Sequence, residues 1–122
     1  MIDTNKFNQY GFPRDVKDIL GITIHETGND SMNAQELFDY LNNECKTSQG
    51  YSYVCDDTQT LQIMPDDYAV YHTGKGKDWG CRYTIAISIC SNINDEKYQA
   101  AQDNCVALIK QLMKKYGITK DS

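Results

Sequence analysis

Thr84-Ile-Ala-Ile-Ser-Ile-Cys90 is the clearest strand pattern in this chain of 122 residues. Side chains alternate between the two faces of a strand, so the isoleucines at 85, 87 and 89 share one face. The small side chains at 84, 86, 88 and 90 share the other. The stretch therefore predicts a β-strand with one large apolar face.

A long helix is predicted after this strand, from about Asp95 to Tyr116. Apolar side chains recur there every three or four residues, which is the spacing of one helical face. Gly117 follows the last turn, where glycine commonly ends a helix. The predicted buried stripe contains Tyr98, Ala101, Cys105, Leu108, Ile109 and Leu112.

The chain before Thr84 contains a second helix and several shorter strands. Asn33 and Glu36 occupy the positions of a capping box. The apolar stripe of that helix contains Ala34, Leu37, Phe38 and Leu41. Strand patterns cover 19–25, 50–56 and 60–64, with a hairpin between the last two and a short extended piece at 69–72.

Two polar segments are predicted to lie outside these elements. Residues 73–80 contain three glycines and are expected to form a loop. Residues 1–17 are expected to run extended over the surface. The remaining elements predict one α/β domain over residues 1–122, in which helices flank a mixed β-sheet of about five strands.

Charge and composition narrow the class of function. The 17 acidic residues exceed the 12 basic ones, which gives a net charge of −5 and argues against nucleic-acid binding. No segment approaches the roughly 18 apolar residues of a membrane span. The N-terminus lacks the apolar core of a signal peptide, so we expect a cytoplasmic location, or the host cytoplasm if a phage encodes the chain.

The five cysteines include no Cys-x-x-Cys pair and are an odd number, so we expect reduced thiols rather than a disulfide framework. Cys90 and Cys105 lie in apolar surroundings and are expected in the core. Cys81 lies in a glycine-rich stretch and is the one thiol expected to be exposed.

Five stretches match one family pattern in order and spacing. They are Ile22-Thr-Ile-His25 with Thr27-Gly-Asn29, Gly50-Tyr-Ser-Tyr-Val54, Gln62-Ile-Met-Pro65, Tyr71-His-Thr-Gly74 and Arg82 to Cys90. Together they resemble the zinc-dependent N-acetylmuramoyl-L-alanine amidases, which include phage endolysins, bacterial autolysins and peptidoglycan recognition proteins. The resemblance covers residues 20–117 and implies the α/β fold of that family.

The resemblance implies a zinc ion with three protein ligands. His25 matches the first ligand, whereas the other two follow the long helix in the family, where this sequence reaches Ser122. His72 is the only other histidine. Because two imidazoles alone would hold zinc weakly, we expect His25 to be a remnant ligand. No cofactor is expected unless the missing zinc ligands are supplied otherwise.

The resemblance also assigns roles around this site. Tyr51 matches a tyrosine that stabilises the oxyanion in some relatives. Ser52 stands where many relatives carry a histidine, and Ser88 stands where the family usually carries a glutamate that acts on the metal-bound water. Serine has neither the charge nor the pKa for that role. The residues that match the pocket wall or its border are His72, Gly74 and Arg82.

Structural explanations compete with these assignments. Without the resemblance, His25 at a strand end is more simply a hydrogen-bonded residue of the rim, and Tyr51 is an ordinary packing residue. His72 beside a glycine loop could cap a turn. Ser88 could be a small residue that lets a helix approach the sheet.

Three functions follow as hypotheses. The favoured one is a catalytically impaired amidase-like protein that binds peptidoglycan fragments or a protein partner. The second is an active zinc N-acetylmuramoyl-L-alanine amidase of the endolysin type, which cleaves the lactyl-L-alanine amide of peptidoglycan. The third is a phage-encoded inhibitor of a host defence complex, built on the amidase fold. The oligomeric state stays open.

Overall fold

A computed structural model describes residues 1–26, 32–45, 47–90 and 94–119. Ten helices and strands follow one another in chain order, joined by short 3-10 turns and loops. They are α1 (Phe7–Tyr10), β1 (Gly11–Pro13), β2 (Gly21–Glu26), α2 (Ala34–Asn43), β3 (Tyr53–Cys55), β4 (Thr60–Gln62), β5 (Tyr68–Val70), α3 (Trp79–Tyr83), β6 (Thr84–Ile89) and α4 (Asp95–Tyr116).

The main sheet has four strands in the order β2-β6-β3-β4. The strand β6 is parallel to both of its neighbours, whereas β3 and β4 form the predicted antiparallel hairpin. All six residues of β6 are buried. The predicted α/β class with a mixed sheet between helices is confirmed.

The two faces of the main sheet pack against different helices. Ile85, Ile87 and Ile89 share a core cluster with the predicted stripe of α4, while Ala86 and Cys90 belong to a cluster with residues of α2. Burial of a side chain of this size stabilises the fold by about 1.5–3 kcal/mol. The alternation read from the sequence thus corresponds to two separate apolar layers.

Both long helices begin as their sequences predict, and α4 also ends as predicted. The Asn33 side chain accepts a hydrogen bond from the Glu36 backbone, and the Glu36 side chain accepts one from the Asn33 backbone in return. The bounds of α4 match the prediction, and Gly117 ends it with φ of 66° in the left-handed region. The motif stretch Thr27-Gly-Asn29 lies outside the described residues.

The prediction for residues 1–17 is wrong. Instead of running extended over the surface, they form α1 and β1 and bury Ile2, Phe7, Tyr10 and Phe12. These apolar residues lie at irregular intervals in elements of three or four residues, too short to show a helical or strand period. β1 pairs with β5 as a separate antiparallel sheet, which is why the piece predicted at 69–72 does not join the main sheet.

The exposure predicted for Cys81 is also wrong. The helix α3 begins at Trp79, within the predicted loop region, and turns Cys81 fully into the interior. Its sulfur accepts a hydrogen bond from the backbone N–H of His72 at 3.4 Å. Cys90 and Cys105 are buried as expected. In the described parts of the chain, no helix is long and apolar enough to cross a membrane.

The pairing of β1 with β5 requires a glycine at position 11. A Cβ atom there would lie 1.8 Å from the backbone oxygen of Ala69. We expect Gly11→Ala to lower the free energy of unfolding by about 1–3 kcal/mol, the usual cost of overpacking, measured by urea denaturation.

The matched control is Gly21→Ala, because the nearest atom to a Cβ there is the Thr84 methyl carbon at 3.8 Å. This substitution should change stability by no more than about 0.5 kcal/mol. Equal stability of the two variants would contradict the close approach of β1 and β5.

Candidate functional site

The site is set by the parallel register of β2 and β6. In this register, His25 lies directly opposite Ser88 near the carboxyl ends of both strands. The carboxyl ends of parallel strands are the usual place for functional residues in open α/β sheets. The pairing thus brings the candidate metal ligand next to the position where the family resemblance expects a glutamate.

His25 forms a hydrogen bond with His72, the other histidine of the chain. Its Nε2 lies 2.9 Å from Nδ1 of His72, with the two rings nearly perpendicular at 77°. His72 is buried, and its Nε2 lies 3.2 Å from the Gly80 carbonyl oxygen and 3.2 Å from the Thr84 hydroxyl. Gly80 of α3 and Thr84 at the start of β6 therefore fix the ring of His72.

These contacts define the tautomers of the neutral pair. A carbonyl oxygen only accepts hydrogen bonds, so Nε2 of His72 carries the proton that is donated to Gly80. Nδ1 of His72 is then the acceptor, and His25 donates to it from Nε2. The ring of His25 consequently has its lone pair on Nδ1, which leaves the pair with one basic nitrogen outside its mutual hydrogen bond.

Burial keeps both imidazoles neutral. It lowers the pKa of His25, and it also lowers the pKa of His72, where the hydrogen bond to Gly80 acts in the opposite direction. The proximity of the two rings further lowers the pKa of His72, because two adjacent positive charges repel each other.

Tyr51 forms the third side of the site. Its ring centroid lies 5.7 Å from that of His25, and the side chain is half-buried. Burial raises the pKa of Tyr51, while the nearby Ser88 hydroxyl acts in the opposite direction. Tyr51 is therefore protonated at neutral pH, and its hydroxyl can donate to an oxygen atom of a ligand.

Ser88 is fully buried, and its hydroxyl lies near Tyr51, whose pKa it acts to lower. Its Oγ has no hydrogen bond of ordinary geometry within the described residues. Because this oxygen is enclosed by the fold, it supports Tyr51 from behind the site.

The structure places the other predicted residues elsewhere. Ser52 is buried, and its Oγ accepts a hydrogen bond from the Ala86 backbone at 3.2 Å. This bond joins the residue before β3 to β6. Gly74 is exposed, with φ of 79°. The Arg82 side chain is also exposed and forms an ion pair with Asp18 at 3.9 Å. Of the seven predicted residues, four come together: His25, Tyr51, His72 and Ser88.

Two residues that support the site were not identified from the sequence. Thr84 forms hydrogen bonds with both His72 and the Gly80 carbonyl, although the sequence pattern indicates only that it belongs to a strand. Asp78 begins α3 by accepting a hydrogen bond from Cys81 N at 2.8 Å, and it also accepts one from the Thr73 hydroxyl at 2.9 Å. An aspartate three residues before the N–H that it caps was the signal that could have shown this helix.

The described residues do not by themselves fit a catalytic zinc ion. Such a site takes about three protein ligands and an open position for water. Among the described residues, no group of three or more histidine, cysteine, aspartate or glutamate side chains could hold a metal ion. The histidine pair offers one basic nitrogen while its internal hydrogen bond persists.

Fold and site together define a mixed α/β domain with a histidine–tyrosine cluster at the carboxyl end of its parallel strands. Comparison with known proteins identifies the family. The family model described as N-acetylmuramoyl-L-alanine amidase matches residues 15–122. The chain therefore belongs to this amidase family, which confirms the resemblance drawn from the motifs.

Individual relatives agree with this assignment. The chain is 36% identical over 98 residues to the N-acetylmuramoyl-L-alanine amidase CwlA of Bacillus subtilis (strain 168), a match that covers 79% of this chain and 35% of CwlA. The structure of PlyL matches with a TM-score of 0.86 and 26% identity, over 97% of this chain and 72% of that one. The catalytic domain of XlyA matches with a TM-score of 0.84 and 30% identity, over 98% and 76%.

The chain spans about a third of the length of curated relatives such as CwlA. The activity and the substrates of those proteins are therefore proposals for this chain.

The neutral histidine pair makes the folded state less stable at acidic pH than at neutral pH. Because the pKa of each ring is lower in the folded state than its ordinary value of 6.5, the unfolded chain binds more protons below that pH. We expect the stability contributed by these groups to be complete above about pH 6.5 and to be lost as the pH falls through their folded pKa values.

Two measurements on chelator-treated protein check this expectation. Titration by NMR should give midpoints below 6.5 for both rings, and urea denaturation should show a lower free energy of unfolding at pH 5.5 than at pH 7.5. His72→Gln should show a smaller decrease between these two pH values. Midpoints at or above 6.5 would mean that the rings are solvated and separate.

Proposed function

We propose that this domain binds peptidoglycan fragments at the cluster of His25, Tyr51, His72 and Ser88, and that the described residues do not hydrolyse them. The register that places Ser88 opposite His25 is the observation that carries the proposal. The ligand class comes from relatives such as CwlA, whose name specifies the amide between N-acetylmuramic acid and L-alanine.

The donor and acceptor pattern of the cluster matches one amide group. Tyr51 is protonated and can donate its hydroxyl hydrogen to the carbonyl oxygen. His25 carries its lone pair on Nδ1 and can accept the amide N–H. The two ring centroids lie 5.7 Å apart, so both side chains can contact the same ligand. Neutral hydrogen bonds of this kind contribute about 0.5–1.5 kcal/mol each.

The same groups supply little for hydrolysis of that amide. An amidase needs an activated water molecule and a group that moves its proton. Ser88 stands where the family resemblance expects the glutamate, and a serine hydroxyl does not accept a proton at neutral pH. Nε2 of His25 already donates to His72, so Nδ1 of His25 is the one nitrogen of the pair that can accept a proton.

An active zinc amidase is the second candidate. The family match and the 36% identity to CwlA support it, because that relative is named as an amidase. This function would need ligands from outside the described residues and a carboxylate other than one at position 88. Zinc-dependent release of L-alanyl peptides would distinguish an active amidase from a domain that only binds peptidoglycan.

The test is a titration of the chain with N-acetylmuramoyl-L-alanyl-D-isoglutamine, in which binding is measured by calorimetry and by NMR. We expect saturable binding that shifts the resonances of His25 and Tyr51. Tyr51→Phe should weaken the affinity about three- to tenfold, the value of one hydrogen bond. The matched control is Tyr68→Phe, since Tyr68 is likewise half-buried but packs against Phe7 with centroids 5.1 Å apart.

Equal affinity of the wild type and both variants would exclude Tyr51 as a contact. Absence of any heat and of any shift at millimolar ligand would remove the proposed peptidoglycan binding altogether.

A further inference from the structure

We infer that Cys55 and Cys105 are a pair of thiols that a peroxide oxidises to a disulfide, which links α4 covalently to β3. Both thiols are reduced and buried in the structure. They lie on the face of the main sheet that packs against α4, whereas His25 lies opposite Ser88, whose side chain shares the other face with Ala86 and Cys90. This modification site is therefore separate from the site of the proposed function.

The two cysteines meet between the main sheet and the long helix. Cys55 is the last residue of β3, and Cys105 lies midway along α4. Both belong to the core cluster that contains the isoleucines of β6. The side chain of Asn104, next to Cys105, donates a hydrogen bond at 2.8 Å to the backbone oxygen of Asp56, next to Cys55. This bond fixes the turn of α4 that carries Cys105 against the end of β3.

The two thiols also interact with each other. The Cys105 thiol donates a hydrogen bond to the sulfur of Cys55, and the Thr60 hydroxyl donates to the same sulfur at 3.6 Å. The bond between the cysteines lowers the pKa of Cys55 and raises the pKa of Cys105, because the shared proton stays on Cys105. A thiolate is the reactive form of cysteine, so Cys55 is the nucleophile of the pair.

The other three cysteines of the chain are separated from this pair. Cys90 follows β6, but its side chain belongs to the core cluster on the α2 side of the main sheet, as does that of Cys45. Cys81 belongs to a third cluster, with Phe12. Since the sheet lies between Cys90 and the pair, oxidation of the folded chain should join Cys55 to Cys105 rather than to another thiol.

An open cavity on the outer side of α4 leads to the pair. Its volume is about 480 Å³, and Cys105 lines it together with Ile24, Ile89 and Val106. The Cys105 thiol nevertheless stays almost wholly covered. A small neutral oxidant such as hydrogen peroxide suits this apolar entrance better than a bulky or charged one.

The oxidation takes two steps that pass through a sulfenic acid. The Cys55 thiolate attacks one oxygen of the peroxide, the O–O bond breaks, and the departing hydroxide takes up the thiol proton as water. The Cys105 sulfur then attacks the Cys55 sulfur, the S–O bond breaks, and the second hydroxide leaves as water with the Cys105 proton. The two sulfurs lose two electrons in total, and these reduce the peroxide to two water molecules.

The disulfide closes a long loop of the chain, because about 50 residues separate its two cysteines. Closing such a loop restricts the unfolded chain and so stabilises the folded one. The bond joins α4 to the sheet within the isoleucine layer that packs on β6. We therefore expect oxidation to stabilise the fold without any contact to His25 or Tyr51.

The test is a disulfide map of the 122-residue chain before and after treatment with hydrogen peroxide. Trypsin releases Cys55 in the peptide 47–75 and Cys105 in the peptide 98–110, and neither peptide contains another cysteine. Mass spectrometry without reduction should show these two peptides joined as the main cross-linked product. The treated chain should melt about 5 °C or more above the same sample after reduction with dithiothreitol.

Cys90→Ala is the matched control, because Cys90 is also fully buried but lies on the other face of the sheet. It should keep the joined peptides and the higher melting temperature, whereas Cys105→Ala should lose both. The inference is overturned if peroxide leaves the two peptides of the wild type separate, if another cysteine pair is the main product, or if the joined chain melts no higher than the reduced one. The muramoyl-peptide titration reports on His25 and Tyr51 instead, so the two proposals fail separately.

Discussion

The parallel pairing of β2 with β6 is the constraint on which the site depends. It sets His25 against Ser88, and the Thr23 and Thr84 hydroxyls bond across the same two strands at 3.0 Å. A slip of one residue would exchange the faces of β6 and move the isoleucines out of the α4 layer. Burial of that layer therefore fixes the register of β6, and this register fixes the position of Ser88 opposite His25. The Thr84 hydroxyl also forms hydrogen bonds with the Gly80 carbonyl and with the ring of His72, so the position of β6 influences that ring as well.

Within this frame, the proposed amide-binding groups come together, and position 88 carries a serine instead of a carboxylate. A neutral tyrosine and a neutral histidine present a donor and an acceptor, and the second histidine fixes the tautomer of the first. Membership of an amidase family specifies the fold. Function depends on the side chains at the site, and the same scaffold can support binding or hydrolysis.

The elements predicted correctly are those whose signals are local. The alternation at 84–90, the capping box of α2 and the glycine after α4 each lie within one element. The contact between His25 and His72 could not be read from the sequence, because the two residues are 47 positions apart and Gly80 of α3 contacts the ring of His72. The same holds for Cys81, whose burial depends on a five-residue helix, and for residues 1–17, whose short elements are stabilised by pairing with β5. Motif resemblance selected the candidate site residues, but only tertiary packing showed which of them meet.

The decisive measurement is the rate at which the purified chain releases amino groups from peptidoglycan in the presence of zinc. The catalytic domain of XlyA serves as the positive control under the same conditions. We expect no release above the buffer level, with or without the metal. Zinc-dependent release that a chelator stops and His25→Ala abolishes would contradict it.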